Sequence, residues 1–257
     1  MRTDARHGQP LLQAGALTRR FGGLTAVRDV SIDLHVGELH AVIGTNGAGK
    51  STLINMLSGE IAASGGVLKL DGIDATAWPQ PKRARAGIGR SYQRTTIFPQ
   101  FSVLENCRLA AQAALQRPWR LWQPARDCAH SVATAREVLE VAGLAGFAER
   151  PAGSMSHGQK RQLEIAMCLA TRPRVLLLDE PLAGMGAEES ERMLSLLERL
   201  KRDHAILLVE HDMDAVFRVA DRITVMVNGE VIASDTPGNI RANPDVLVAY
   251  LGDAHEP

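Results

Sequence analysis

The chain lacks the marks of several protein classes. Its three cysteines, Cys107, Cys128 and Cys168, are odd in number and have no C-x-x-C spacing. That excludes a disulfide framework and a zinc site and points to a reducing compartment. Neither sign of charge is in excess, since 29 Lys and Arg balance 29 Asp and Glu. No net field therefore favours nucleic acid or anionic lipid, and no nucleic-acid partner is expected. No apolar run approaches the roughly 18–20 residues that span a bilayer. The polar stretch Met1 to Pro10 reads as a flexible tail, and the short apolar stretch after it ends at Arg19-Arg20, so no signal peptide is expected. Internal repeats and low-complexity tracts are also missing. What remains is a 257-residue chain with 45% hydrophobic residues, enough for one large domain or a domain carrying a subdomain.

One stretch stands out. Gly44-Thr45-Asn46-Gly47-Ala48-Gly49-Lys50-Ser51-Thr52 fits G-x-x-x-x-G-K-[ST], between an apolar strand (Leu39 to Ile43) and helix-forming Leu53 to Leu57. Glycines at 44, 47 and 49 let the backbone wrap a polyphosphate with its N–H groups aimed inward. In this motif Lys50 reaches the β- and γ-phosphates, the Ser51 hydroxyl ligates Mg²⁺, and the helix N-terminus adds partial positive charge. The chain is expected to bind a nucleoside triphosphate.

The organisation around this loop is mixed. Val30, Ile32, Leu34 and Val36 alternate with polar residues as in a strand, and Val67 to Leu70 lies between Gly65-Gly66 and Asp71-Gly72 as a hairpin strand does. From about Val103 to Arg172 the spacing turns helical, including Ala129 to Ala142 and Gln159 to Ala170. The expected fold is α/β: a P-loop NTPase core of parallel sheet and flanking helices, an antiparallel β subdomain, and a helical subdomain inserted at about 96–172 of a single domain spanning 11–257. Val175 to Leu178 reads as a central parallel strand, followed by a charged helix (Glu188 to Arg202), a buried strand (Ala205 to Val209) and a short helix (Met213 to Ala220). Ile223 to Val227 and Glu230 to Ala233 form a hairpin about Asn228-Gly229, and Thr236-Pro237 offers an N-cap and first turn for the C-terminal segment.

Two further motifs carry chemistry. The strand Val175 to Leu178 delivers Asp179 and Glu180 at its carboxyl end, where ligands sit in open α/β sheets. Asp179 is placed to hold Mg²⁺ or its water shell, and Glu180 to polarise the water that attacks a γ-phosphate. Adjacent carboxylates at one site imply a divalent cation, because uncompensated like charge would raise one pKa. Ser154-Met155-Ser156-His157-Gly158-Gln159 opens a predicted helix, and a helix N-terminus presenting Ser and Gly is an anion site or an ordinary serine cap. Beside a phosphate loop, it suggests two copies sandwiching nucleotide.

In the order Phe21, Gly44 to Thr52, Gln93, Met155 to Gln159, Val175 to Glu180 and His211, the chain resembles the ATP-binding subunits of ABC transporters from about Leu11 to Gly252. The resemblance implies ATP and Mg²⁺ as ligands and an ATPase coupled to transmembrane solute transport. It implies that Phe21 stacks on adenine, that Gln93 touches Mg²⁺ or the attacking water, and that Ser156 and Gly158 meet the γ-phosphate of the opposite subunit's ATP, with Gln159 also in that nucleotide-binding set. His211 would hydrogen-bond the γ-phosphate. The implied partners are transmembrane permease subunits, a homologous or identical ATPase subunit, and indirectly an extracytoplasmic solute-binding protein. The implied location is peripheral, on the cytoplasmic face of the cell membrane.

Three positions in two motifs depart from the family pattern. Met155 and His157 stand where Leu and Gly are usual, with His157 either touching phosphate or facing solvent, and Gly186 replaces an aspartate. Arg90 to Phe98, Leu178 to Met185 and the ending Ile240 to Pro244 with Ala249 to Gly252 resemble importers of branched-chain amino acids. Ser156 to Lys160 is similar to urea and short-amide importers instead, and an ATPase of this type with soluble partners or an exporter are the remaining alternatives. Trp119 and Trp122 are either contacts for a membrane subunit or part of a small satellite core.

Overall fold

The computed structural model describes residues 8–92, 96–115 and 129–251. The chain opens with strands β1 (Leu12–Phe21), β2 (Leu24–Leu34) and β3 (Leu39–Gly44), then helix α1 (Lys50–Ser58). After β4 (Gly65–Leu70) and β5 (Ile73–Asp74) come α2 (Gln80–Arg85) and β6 (Ile88–Arg90). Helices α3 (Val103–Leu115), α4 (Ala129–Val141) and α5 (His157–Ala170) precede β7 (Val175–Asp179), α6 (Ala187–Leu200) and β8 (Ala205–Val209). The chain closes with α7 (Met213–Val219), β9 (Arg222–Val227), β10 (Glu230–Asp235), α8 (Pro237–Ala242) and α9 (Pro244–Leu251).

These elements form two compact units, one of residues 1–88, 174–180 and 200–257, the other of 89–173 and 181–199. In the first unit, β2-β1-β4-β5 make an antiparallel sheet, and the strands β10-β9-β3-β8-β7 run in that order in a second one. Strands β3, β7 and β8 are apolar along nearly their whole length because they are buried on both faces, as parallel strands under helices must be. Their register sets Val42 beside Val209 and Val209 beside Asp179, so three carboxyl ends line up at one edge. Helix α1 packs against β3 and β7 through Leu53, Ile54, Met56 and Leu57, each worth about 1.5–3 kcal/mol when buried.

Several expectations needed correction. The alternation along β2 stops at Leu34: Val36 lies in the turn beyond it and is exposed, because the chain must reverse there into β3. Thr236 does precede α8, but its hydroxyl makes no capping bond; instead the Asp235 carboxylate accepts from the Thr236 N–H at 2.7 Å. Helix α2 had no sequence signal, yet it supplies a buried cation. Arg83 donates to the Met56, Leu57, Thr76 and Trp78 carbonyls, closing the C-terminal end of α1 with positive charge where the helix dipole is negative.

His40, in β3, is buried with Nε2 2.8 Å from the Thr224 hydroxyl and Nδ1 3.2 Å from the Asp33 carbonyl. Burial pushes its pKa down to about 4. The fold therefore holds the neutral ring, and the unfolded chain takes up the proton first as pH falls. Full stability is present above about pH 6.5 and is lost progressively towards pH 4, by about 3 kcal/mol from this group. We expect urea midpoints to fall across that window and the fall to shrink in His40→Gln, which keeps hydrogen-bonding atoms without the titration.

Candidate nucleotide site

The phosphate loop is the link between β3 and α1. Its helix has Gly49 at the N-cap in a left-handed conformation, φ 97°, and a side chain there would put Cβ 2.4 Å from the Ala26 carbonyl oxygen. Only glycine fits that close approach. The loop is braced from two directions that the sequence did not disclose. Ala26 of β2 abuts Gly49, and the turn between β9 and β10 donates its Gly229 N–H to the Ala48 carbonyl at 3.1 Å while accepting from Arg28 N–H at 2.8 Å. Asn46 and Gly47 are exposed at the rim, Ala48 is buried beneath, and Thr52 is half-buried in the first turn of α1.

Lys50 is buried, and its Nζ donates to the Gly44 carbonyl at 2.6 Å and the Thr45 carbonyl at 3.0 Å. Desolvation lowers its pKa, while the charges of Glu180 and Asp179 oppose that shift. The register of β3, β8 and β7 brings the carboxyl end that carries both acids to the edge where the loop begins. Asp179 is buried at the end of β7. Glu180 follows with φ 49°, a left-handed conformation that a non-glycine residue adopts at a cost of about 1–3 kcal/mol. Its N–H is tied to the Val209 carbonyl at 2.9 Å, which holds the turn in that shape. The exposed Ser51 hydroxyl and the Asp179 carboxylate are hard oxygen donors of the kind Mg²⁺ takes. Among the described residues no cluster of three or more His, Cys, Asp or Glu could hold a metal by itself. A cation here would need further oxygens from a phosphate, which is how Mg²⁺ accompanies nucleotides.

His211 lies two residues past β8 and is exposed, with Nδ1 3.8 Å from Glu210 Oε2. Glu210 is fully buried and also accepts from the His211 N–H at 3.2 Å, so it orients a residue whose support was not visible from the sequence. Phe21 ends β1, half open to solvent, with the Arg19 guanidinium 4.5 Å over its ring. Its hairpin partner is Leu24, two residues before the Ala26 that braces the loop.

A cleft of about 780 Å³ in this unit is lined by Glu38, His40, Arg222 and neighbours, at the opposite end of β3 from the phosphate loop. It is no part of the nucleotide site.

The second unit carries the serine motif. Ser156 caps α5 in a capping box: its Oγ accepts from the Gln159 N–H at 3.2 Å, and Gln159 Oε1 accepts from the Ser156 N–H at 3.0 Å. Gly158 is buried under the Glu189 carboxylate, while Met155 is buried and His157 exposed with its ring against Gly184. Gly186 is exposed, with open space around it. Gln93 lies outside the described residues, as do Trp119, Trp122 and Cys128. On either side of 93–95, Arg161 donates to the Tyr92 carbonyl at 2.8 Å and Glu164 accepts from the Thr96 N–H at 2.8 Å. Arg161 and Glu164 pair at 3.0 Å, both buried. Cys107 and Cys168 are free and buried, and burial pushes each thiol up to about 12, so neither is reactive. No helix among the described residues is long and apolar enough to cross a membrane.

Known proteins resemble this chain in sequence and fold. A profile of the ABC transporter family matches residues 27–183, and one of the branched-chain amino acid ATP-binding cassette transporters matches 230–256. The chain is similar to the high-affinity branched-chain amino acid transport ATP-binding protein BraF of Pseudomonas aeruginosa, with 40% identity over 96% of this chain and 99% of that protein. Similarity to LivG of Escherichia coli, named for the same role, is 40% over the same shares of the two chains. Among solved structures, the ADP conformation of MJ1267, an ATP-binding cassette of an ABC transporter, matches with a TM-score of 0.86 and 29% identity over 95% of this chain and all of that one.

Proposed function

This chain belongs to the ABC transporter family, as an ATP-binding ATPase subunit, and on that premise we propose that it energises the import of branched-chain amino acids through permease subunits in the cell membrane. The observation that carries the catalytic reading is the alignment of the carboxyl ends of β3 and β7, which carry the phosphate loop and Asp179-Glu180, with Glu180 held in a left-handed turn. The substrate reading draws on the match over 230–256 and on the names of the relatives.

Each residue has a role in this reading. Lys50 and the backbone N–H groups from Gly44 to Thr52 hold the β- and γ-phosphates of ATP, and Phe21 offers its ring to adenine. Ser51, Asp179 and Gln93 would hold Mg²⁺, which neutralises phosphate charge in the transition state. Glu180 takes a proton from the attacking water as that water adds to the γ-phosphorus in line with the leaving ADP oxygen. His211, oriented by Glu210, donates to the γ-phosphate. Ser156, Gly158 and Gln159 meet the ATP of a second ATPase subunit, a copy or a homologue, and hydrolysis lets the pair separate. That separation is transmitted to the permease, with an extracytoplasmic binding protein delivering the solute. Residues 11–257 are thus read as one ATPase domain, peripheral to the membrane on its cytoplasmic side.

The test is purification of the chain from gently solubilised native membranes, followed by ATPase assay in proteoliposomes. Multi-span partners and stimulation by leucine, isoleucine or valine with the binding protein support the reading. Stimulation by urea or short amides would move the substrate to that related group, the alternative that Ser156 to Lys160 favours. Only soluble partners would overturn transport and leave the ATPase.

A further inference from the structure

We propose that Glu189 is an internal stand-in for phosphate: its carboxylate fills the cradle at the start of α5 and must leave before a partner's ATP can enter. The inference rests on the reading of Ser156 and Gly158 given above. Ser156 Oγ donates to Glu189 Oε1 at 2.8 Å, and the Gly158 N–H donates to the same carboxylate. The approach is so close that a side chain at 158 would put Cβ 2.4 Å from Glu189 Cδ and 2.7 Å from each oxygen. A serine hydroxyl and a glycine N–H converging on one carboxylate are the donors that a terminal phosphate would use.

Glu189 also has a reason to be there. It is the third residue of α6 and accepts from the N–H of Gly186 just before that helix, as an N-terminal carboxylate does. Its charge is further favoured by Arg192. These contacts lie within α6 and its start, so they survive when the carboxylate swings away from α5. Only the Ser156 and Gly158 bonds are given up. The carboxylate and a γ-phosphate are both negative and compete for the same donors, so the two cannot occupy the cradle together. Closure of two subunits over ATP is thereby opposed until the nucleotide displaces Glu189, which restrains idle dimer formation. The neighbouring Glu188 has its side chain 90% exposed and pairs with Arg192, so it is the natural control.

The experiment measures ATP-dependent dimerisation of the full chain, with itself or with the ATPase subunit that co-purifies, by sedimentation over an ATP titration. Glu180→Gln serves as the background that holds dimers closed. Adding Glu189→Gln is expected to lower the ATP needed for half-maximal dimer by about three- to tenfold, and Glu188→Gln to leave it in place. ATP affinity of the monomer, read with a fluorescent analogue, should not move with Glu189→Gln, because Lys50 and its loop are untouched. An unchanged or higher ATP requirement for dimerisation would overturn the inference. If Glu189→Gln lowers the melting temperature, Glu189→Asp, which keeps the charge but withdraws it by one methylene, should show the same downward shift. Absence of ATP-driven dimers in Glu180→Gln itself would instead overturn the reading of Ser156 and Gly158, and the inference with it.

Discussion

Glu180→Gln is expected to reduce ATP turnover by about 10²–10⁴-fold, the range that a positioned general base contributes, while leaving ATP binding intact. The structure makes this a sharp substitution. The backbone at 180 is left-handed and tied to the Val209 carbonyl through its N–H, and glutamine keeps both features. It also keeps the side chain's length and removes only the proton acceptor. The protein should therefore accumulate as an ATP-bound closed dimer, because nucleotide enters but hydrolysis does not release it. Single-turnover hydrolysis and sedimentation with ATP check both halves of this expectation. Normal turnover in the variant would remove Glu180 from the catalytic role and leave the acid beside it, Asp179, as the residue to test next.

Lys50→Ala acts one step earlier and should weaken ATP binding roughly 100-fold, the loss expected when a charge-assisted contact to phosphate is removed from a partly desolvated loop. The ammonium bridges the Gly44 and Thr45 carbonyls at the start of the loop. Its charge is opposed by burial and supported by Glu180 and Asp179. Removing it leaves those two carboxylates facing an incoming polyphosphate without compensation, which adds repulsion to the lost contact. Isothermal titration with ATP and with ADP separates the two contributions: on the proposed role of Glu180 the deficit should be larger for ATP, which brings a γ-phosphate. An equal deficit for both nucleotides would place the lysine's contribution on the β-phosphate alone.

The two variants should also differ in stability. Glu180→Gln leaves the packing of α1 on β3 and β7 unchanged, whereas Lys50→Ala removes both carbonyl contacts that order the loop. Part of its binding loss is then a cost of re-forming the loop around nucleotide.

Much of this was legible in the residues themselves. The phosphate loop is a local structure: its glycines, its lysine and the helix that follows are contiguous, so spacing alone specifies them. The buried strands Val175 to Asp179 and Ala205 to Val209 were equally plain, because a strand covered on both faces must be apolar without interruption. Asp179 and Glu180 followed from their place at the end of such a strand. The acids and Lys50 are more than 120 positions apart in the chain, and only the parallel register of β3, β8 and β7 sets them beside one loop.

What the sequence by itself determined, then, is the chemistry and the elements that carry it: a triphosphate loop, an acidic strand end, a capped helix with Ser156 and Gly158, and the family to which their order belongs. What only the tertiary structure decided is how those groups are held. Ala26 and Gly229 brace the loop, Arg83 closes α1, Glu210 orients His211, and Glu189 lies in the Ser156 cradle. The reason is physical. A motif encodes contacts among neighbours in the chain, whereas each of these supports except the Glu210–His211 contact joins residues more than 20 positions apart. Residues so far apart carry no spacing that could announce the contact, and it exists only once the elements have packed.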